Sequence, residues 1–151
     1  MKRQFCTFLV EDTLFGVETG AVAEIVARFE VTPVPQSPSA IAGMMNHRGH
    51  VTTLILLGVA LGLTATGRTK GEKSTVIFMK HEDELVGLVV DEIGDVIEVE
   101  DSAGELPPES ISLELRQAVT FAYKVPGKIL LALKMPSIVH LAIESAVLSA
   151  V

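Results

Sequence analysis

The polar residues best placed to do chemistry in this chain fall in Gly43-Met44-Met45-Asn46-His47-Arg48-Gly49-His50, which opens into the uncharged, β-prone run Val51-Thr52-Thr53-Leu54-Ile55-Leu56-Leu57. Gly49 takes φ > 0 without steric cost, so the backbone reverses there and Arg48 is held at the tip of a hairpin. A guanidinium on a rigid turn suits recognition of a carboxylate or a cluster of carbonyls on another molecule. No nucleophile accompanies it, so the motif points to a contact surface rather than to catalysis.

Other reactive side chains read as structural. His47 and His50 are three apart, but Gly49 breaks any helix that would align them and no third ligand lies nearby, so no metal is expected. Cys6 lies inside a strand and reads as a small buried hydrophobe. Glu82-Asp83-Glu84 occupies a hairpin tip, where like charges face water. The run Gly67-Arg68-Thr69-Lys70-Gly71-Glu72-Lys73-Ser74 approaches a phosphate-binding loop. Glu72 stands where that loop needs glycine, and the segment leads into a strand rather than a helix, so it reads as a surface loop and no cofactor is expected.

Composition sets the frame for these residues. A chain of 151 residues fits one domain or two small barrels sharing a core. Its 48% hydrophobic content is high beside a charged fraction of 21%, which predicts a large core together with apolar contact patches. The net charge of −7, without a basic stripe, argues against nucleic-acid binding. One cysteine suits a reducing compartment. No run reaches the ~18–20 apolar residues that span a bilayer, and Met1-Lys2-Arg3-Gln4 opens no signal peptide, so a cytoplasmic location without membrane insertion is expected.

Strands are expected at Phe5–Val10, Leu14–Glu18, Val51–Leu57, Thr75–Lys80, Leu85–Asp91, Gly94–Glu100, Ala118–Tyr123 and Lys128–Lys134, from period-2 patterning and bounding turn residues. The spacing of Val22, Glu24 and Ile25 predicts a short helix over Gly20–Val26, and a helical turn is expected within Ser37–Met45. Residues 64–74 read as a surface loop, and so does the stretch through Pro107-Pro108. From Pro136 a short apolar helix is expected, either capping the barrels or presenting an exposed face. The halves, approximately 5–63 and 74–135, resemble each other. Leu14-Phe15-Gly16-Val17 and Val22-Ala23-Glu24-Ile25-Val26 align with Leu85-Val86-Gly87-Leu88 and Ile93-Gly94-Asp95-Val96-Ile97, and Gly49-His50-Val51 aligns with Gly127-Lys128-Ile129. Each half alone is too small to bury much core, so a duplication implies two β-barrels packed together, with interleaved strands an open alternative.

Taken in order, Val22-x-Glu24-Ile25, Val34-Pro35-x-x-Pro38, Ile41-x-Gly43-x-x-Asn46-x-Arg48-Gly49 and Val86-Gly87-Leu88-Val89-Val90-Asp91-x-Ile93-x-Asp95-Val96 resemble the CheW-like domain family. The resemblance covers Phe5 to about Val139. It implies one mostly-β domain over 1–151, built of two SH3-like five-stranded barrels on a shared core with short helices and a C-terminal helix. It implies a non-enzymatic adaptor that links a chemoreceptor's cytoplasmic tip to the regulatory domain of a CheA-type histidine kinase, at membrane-associated arrays. Arg48, Asn46, Gly49, Gly43, Glu24 and Val22 fall on the family's receptor- and kinase-facing positions, whereas Val90 and Asp91 fall on a motif read as structural. Two departures stand out. Thr52-Thr53-Leu54-Ile55-Leu56-Leu57 lacks the proline and acid common after Arg-Gly, and Ala132-Leu133-Lys134 lacks a common acid. They leave open an adaptor of a pilus- or cyclase-controlling pathway with a non-standard kinase.

Overall fold

A computed structural model describes residues 1–27, 29–64 and 74–149. Ten strands run in chain order: β1 Lys2–Val10, β2 Thr13–Glu18, β3 Val22–Val26, β4 Ile41–His47, β5 His50–Leu56, β6 Thr75–His81, β7 Glu84–Val90, β8 Glu92–Glu100, β9 Val119–Val125 and β10 Lys128–Leu133. The described residues also form three α-helices: α1 Leu57–Ala60, α2 Leu113–Ala118 and, after the last strand, α3 Met135–Ser149. The strands form two five-stranded sheets, β8-β1-β2-β10-β9 and β3-β6-β7-β5-β4. The first sheet closes into a barrel by the bridge Glu105↔Ala122, the second by Thr32↔Met44.

The duplication seen in the sequence is a swapped one. Adding five to each strand number of the second sheet, and counting past ten as one, gives the strand order of the first. Each barrel therefore takes strands from both halves: β1 and β2 with β8–β10, and β3–β5 with β6 and β7. Irregularities follow the same correspondence. The register of β3 on β6 shifts between Val22 and Glu24, and that of β1 on β8 shifts opposite Gly94 and Asp95. A second pair of shifts falls in β4 and β9. Bulges bend a strand enough to close a small barrel, which explains their recurrence at matching places.

Three apolar layers result. Phe5, Leu14, Tyr123, Leu130 and Ala132 fill the first barrel, and Leu54, Leu56, Val76, Phe78 and Val89 fill the second. The opposite faces of the same strands supply Phe8, Phe15, Ile55, Ile77, Met79 and Leu88 to a shared core between the barrels. The period-2 alternation of side chains lets one strand serve both layers. Ile138, Leu141 and Ala142 of α3 are buried in that shared core at helical spacing, so the C-terminal helix packs.

Two expectations are corrected. Val22–Val26 is a strand on the edge of β6, preceded by a 3-10 turn at Thr19–Ala21, and not a helix. Five residues are too few to sustain an isolated helix, Val22, Ile25 and Val26 are β-branched, and pairing satisfies the open edge of β6. The expected helical turn within Ser37–Met45 gives way to an irregular approach and β4. The stretch after Pro107-Pro108 also contains α2, capped by Ser112, whose Oγ accepts from the Leu115 N–H at 3.3 Å. Of the expected loop over 64–74, residues 65–73 lie outside the described residues, as does most of the rejected phosphate-loop pattern.

Candidate functional site

The hairpin β4–β5 pairs His47 with His50, so Arg48 and Gly49 alone make the turn, with φ of 53° and 84°. Positive φ at both central residues defines the type I′ turn that matches strand twist. Glycine adopts it freely, whereas arginine there is uncommon. Asn46 Oδ1 braces the turn by accepting the Gly49 N–H at 3.1 Å.

Glu24 reaches this tip from β3. The register shift sets it opposite Phe78, so its side chain rises beside that ring. Its Oε1 accepts from Arg48 Nη2 at 2.9 Å, and its Oε2 lies 2.6 Å from His47 Nε2. The His47 ring stacks on Phe78, with centroids 4.4 Å apart and an interplanar angle of 18°. Because β3 and β4 are the two ends of the sheet, these contacts help close the second barrel. Side-chain exposure rises outward, from 14% at His47 through 33% at Glu24 to 75% at Arg48. The His47 hydrogen bond, aided by the Arg48 charge and opposed by desolvation, holds the Glu24 carboxyl below the ordinary carboxylate range.

Of the remaining residues singled out by sequence, Gly43 and Val22 support this cluster from below, whereas Val90 and Asp91 lie away from it, beside the opposite end of β5. Gly43, at φ 144°, is buried where a Cβ would overlap the Thr32 carbonyl. That close approach permits the two backbone bonds of the Thr32↔Met44 bridge, at 2.8 and 2.9 Å, which anchor the base of the hairpin. Val22 is half-buried, pairs with Met79 and packs on the shared core. Val90 is fully buried, and Asp91 Oδ2 accepts the Glu11 N–H at 2.8 Å, tying the β1–β2 turn to the end of β7.

Val22 also links the cluster to a groove of about 280 Å³ between the barrels, because its partner Met79 lines that groove with Phe5, Val17, Ala21, Leu133 and Met135. Arg3 stands at its mouth, paired with Glu18 at 2.7 Å and Asp101 at 2.6 Å. Among the described residues, no three His, Cys, Asp or Glu side chains converge on a point that would hold a metal ion. No helix of the described residues is long and apolar enough to cross a membrane.

In sequence His47 stands out only as a member of the polar turn and as a metal-ligand candidate that is set aside, and its place in the cluster is not visible there. The available signal was only the period of two, which puts Gly43, Met45 and His47 on one face of β4; the structure buries or half-buries that face and exposes Met44 and Asn46 on the other. Phe78 gave no such signal, since the stack joins residues far apart in sequence.

Comparisons with known proteins bear on the family and the fold. A family model described as CheW-like domain matches residues 4–142. The chemotaxis protein CheW of Helicobacter pylori is 29% identical over 109 residues, covering 72% of this chain and 65% of that protein. The chemotaxis protein CheW of Rhizobium meliloti is 27% identical over 136 residues, covering 90% of this chain and 86% of its own. The crystal structure of the scaffolding protein TtCheW from Thermoanaerobacter tengcongensis superposes with a TM-score of 0.79 at 26% identity, over 89% of this chain and 90% of that one.

Proposed function

Since the chain belongs to the CheW-like domain family, we propose that it is a non-enzymatic coupling protein that joins a chemoreceptor's cytoplasmic tip to the regulatory domain of a CheA-type histidine kinase, at arrays on the cytoplasmic face of the membrane. The observation that carries this reading is the Glu24-braced Arg48 at the end of β4, connected through Val22 and Met79 to the apolar groove between the barrels. A helical hairpin tip can lay an apolar face into such a groove, while Arg48, held by Glu24 on the strand whose Val22 meets the groove's Met79, adds a polar contact that sets the register. Asn46, Gly49 and Gly43 shape the hairpin, and Glu24 and Val22 align it with the groove.

The family resemblance also implies that the kinase regulatory domain is built on the same fold, and such a domain would use a different surface. Exposed Ile25 on β3 and Val96 on β8 occupy matching places in the two barrels, as do exposed Val51 on β5 and Ile129 on β10. Matching apolar positions on both barrels favour end-to-end packing with a domain built on the same plan.

The test is calorimetric titration against the kinase regulatory domain and, separately, a receptor-tip helical hairpin. Saturable binding to both without competition supports two surfaces, and binding to neither refutes the reading. Arg48→Asn sharpens it, because asparagine tolerates the turn's positive φ. A charge-assisted hydrogen bond is worth roughly 1.5–3 kcal/mol, so the variant should bind the receptor tip about tenfold to a hundredfold more weakly. Its melting temperature should stay level or rise, and a matching thermal loss would instead make Arg48 a structural residue.

A further inference from the structure

We propose that His47 is a positioning residue for the docking arginine: seated on Phe78, it occupies one oxygen of Glu24 so that Glu24 holds Arg48 by a single N–H, leaving the other edge of the guanidinium for a partner's carbonyl or carboxylate oxygens. The inference rests on the docking reading above and goes beyond it by assigning a task to His47.

Left to themselves, a carboxylate and a guanidinium form a bidentate fork with two parallel N–H···O bonds. That arrangement would consume two of the Arg48 donors on its own chain. Here no fork forms: Glu24 Oε2 lies 2.6 Å from His47 Nε2, which draws the carboxylate toward the ring, and only Oε1 accepts from Arg48 Nη2, at 2.9 Å. The Arg48 side chain remains 75% exposed, open to a partner.

His47 is built to hold that oxygen. Its ring lies nearly parallel to Phe78, with an interplanar angle of 18°, and its side chain is 14% exposed, so it has little room to turn away. Its backbone is pinned by the pairing with His50 that closes the hairpin. The charged and titratable groups facing this cluster are Glu24 from β3, Arg48 from the turn and His50 across the ladder. The low-lying Glu24 ionisation, whose largest cause is the His47 hydrogen bond, agrees with the arrangement.

Three variants test it. His47→Phe keeps the stack on Phe78 and removes both nitrogens. His47→Gln retains a donor near the Nε2 position, and Arg48→Asn removes the docking group. The first readout is Glu24 titration in the free protein, followed by carboxyl carbon NMR. His47→Phe should raise the Glu24 pKa toward the ordinary value, and His47→Gln should hold it low. The second readout is calorimetric binding of the receptor-tip hairpin. His47→Phe should weaken binding roughly fivefold, the scale of one lost hydrogen bond's ordering, while His47→Gln should stay within about twofold of the parent chain. Should His47→Phe fail to fold, His47→Leu makes the same comparison with a smaller side chain. Unchanged Glu24 titration in the nitrogen-free variant overturns the proposal, and so does unchanged binding when Arg48→Asn has lost it, with the docking reading still standing. If Arg48→Asn also binds like the parent, the docking reading falls and takes the proposal with it.

Discussion

Gly43→Ala against Gly49→Ala separates two reasons for a glycine in the hairpin that carries Arg48. Both glycines have positive φ, 144° and 84°, so both alanines carry a conformational cost of roughly 1–3 kcal/mol. They differ in surroundings. A Cβ at Gly49 meets nothing within 4 Å, whereas at Gly43 it overlaps the Thr32 carbonyl oxygen, with the Thr32 carbon at 2.8 Å. Backbone cannot swing aside as a side-chain tip can, so relief requires Thr32 to leave β4. That move forfeits its two bonds to Met44, at 2.8 and 2.9 Å. At about 0.5–1.5 kcal/mol each, the bonds add roughly 1–3 kcal/mol. Gly43→Ala should therefore cost about 2–6 kcal/mol and Gly49→Ala about 1–3 kcal/mol. For a chain of this size the first corresponds to a melting-temperature drop on the order of 10 °C. Urea unfolding followed by circular dichroism, with thermal melts alongside, measures both. Equal losses from the two substitutions would refute the claim that Gly43 is held by the approach of Thr32.

Two further outcomes follow from the same geometry. The Glu24 carboxyl ionises below the ordinary range in the folded chain, so its contribution is present above that range and is lost as pH falls through the lowered value. The stability difference between the parent and Glu24→Gln should accordingly be largest near neutrality and shrink below about pH 4, as read from melts across pH 7 to 3; a gap that stays constant would refute the assignment. Within the second barrel, a Cβ at Gly87 would overlap Leu54 Cδ2 and approach Val76 Cγ1 to 2.8 Å. Gly87→Ala should cost about 1–3 kcal/mol by overpacking, and Leu54→Ala about 2–5 kcal/mol by leaving a void. The double variant should lose less than the sum by urea unfolding, because the new methyl enters the void; strict additivity would show that the two do not share space.

Legibility in the sequence tracks the range of the forces involved. The strands were readable because alternation is a local signal, as in Thr75–His81 and Glu84–Val90, where no end of the expected runs differs from the observed one by more than a residue. The swap between halves was not readable as such, since internal similarity fixes which strands correspond but not which copy each one joins. Val22–Val26 misled because Glu24 interrupts its apolar residues at a spacing a helix also shows, and the bulge at Ala23 that reconciles it with a strand depends on pairing with β6. Helix α2 was missed although Ser112, Glu114 and Leu115 carry a cap, a first-turn acid and an inward apolar residue, because six residues give no helical period. In the candidate site, Arg48 and Glu24 were named from sequence and meet at 2.9 Å, whereas the Phe78 platform beneath His47 exists through tertiary packing alone.

The two barrels share a strand plan, yet they differ at the hairpin proposed to dock. Val125 pairs with Lys128, so the turn matching Arg48-Gly49 is Pro126-Gly127. Proline fixes φ near −65°, and Gly127 at φ 75° completes a type II turn, whereas Arg48-Gly49 has both angles positive. The residues matching His47 and Arg48 are thus Val125 and Pro126, which have neither a ring nitrogen nor a guanidinium. On β8 the residue matching Glu24 is Asp95, one methylene shorter, and its backbone carbonyl accepts from the Thr7 hydroxyl. Neither backbone plan nor bulge position separates the barrels, since both recur. The asymmetry comes from a few side chains and one turn type. A proline that forbids positive φ at the first turn position makes one hairpin a plain closure. Its absence in the other lets an arginine stand in the left-handed region, at an energetic cost that Glu24, His47 and Asn46 offset by bracing the tip from three directions.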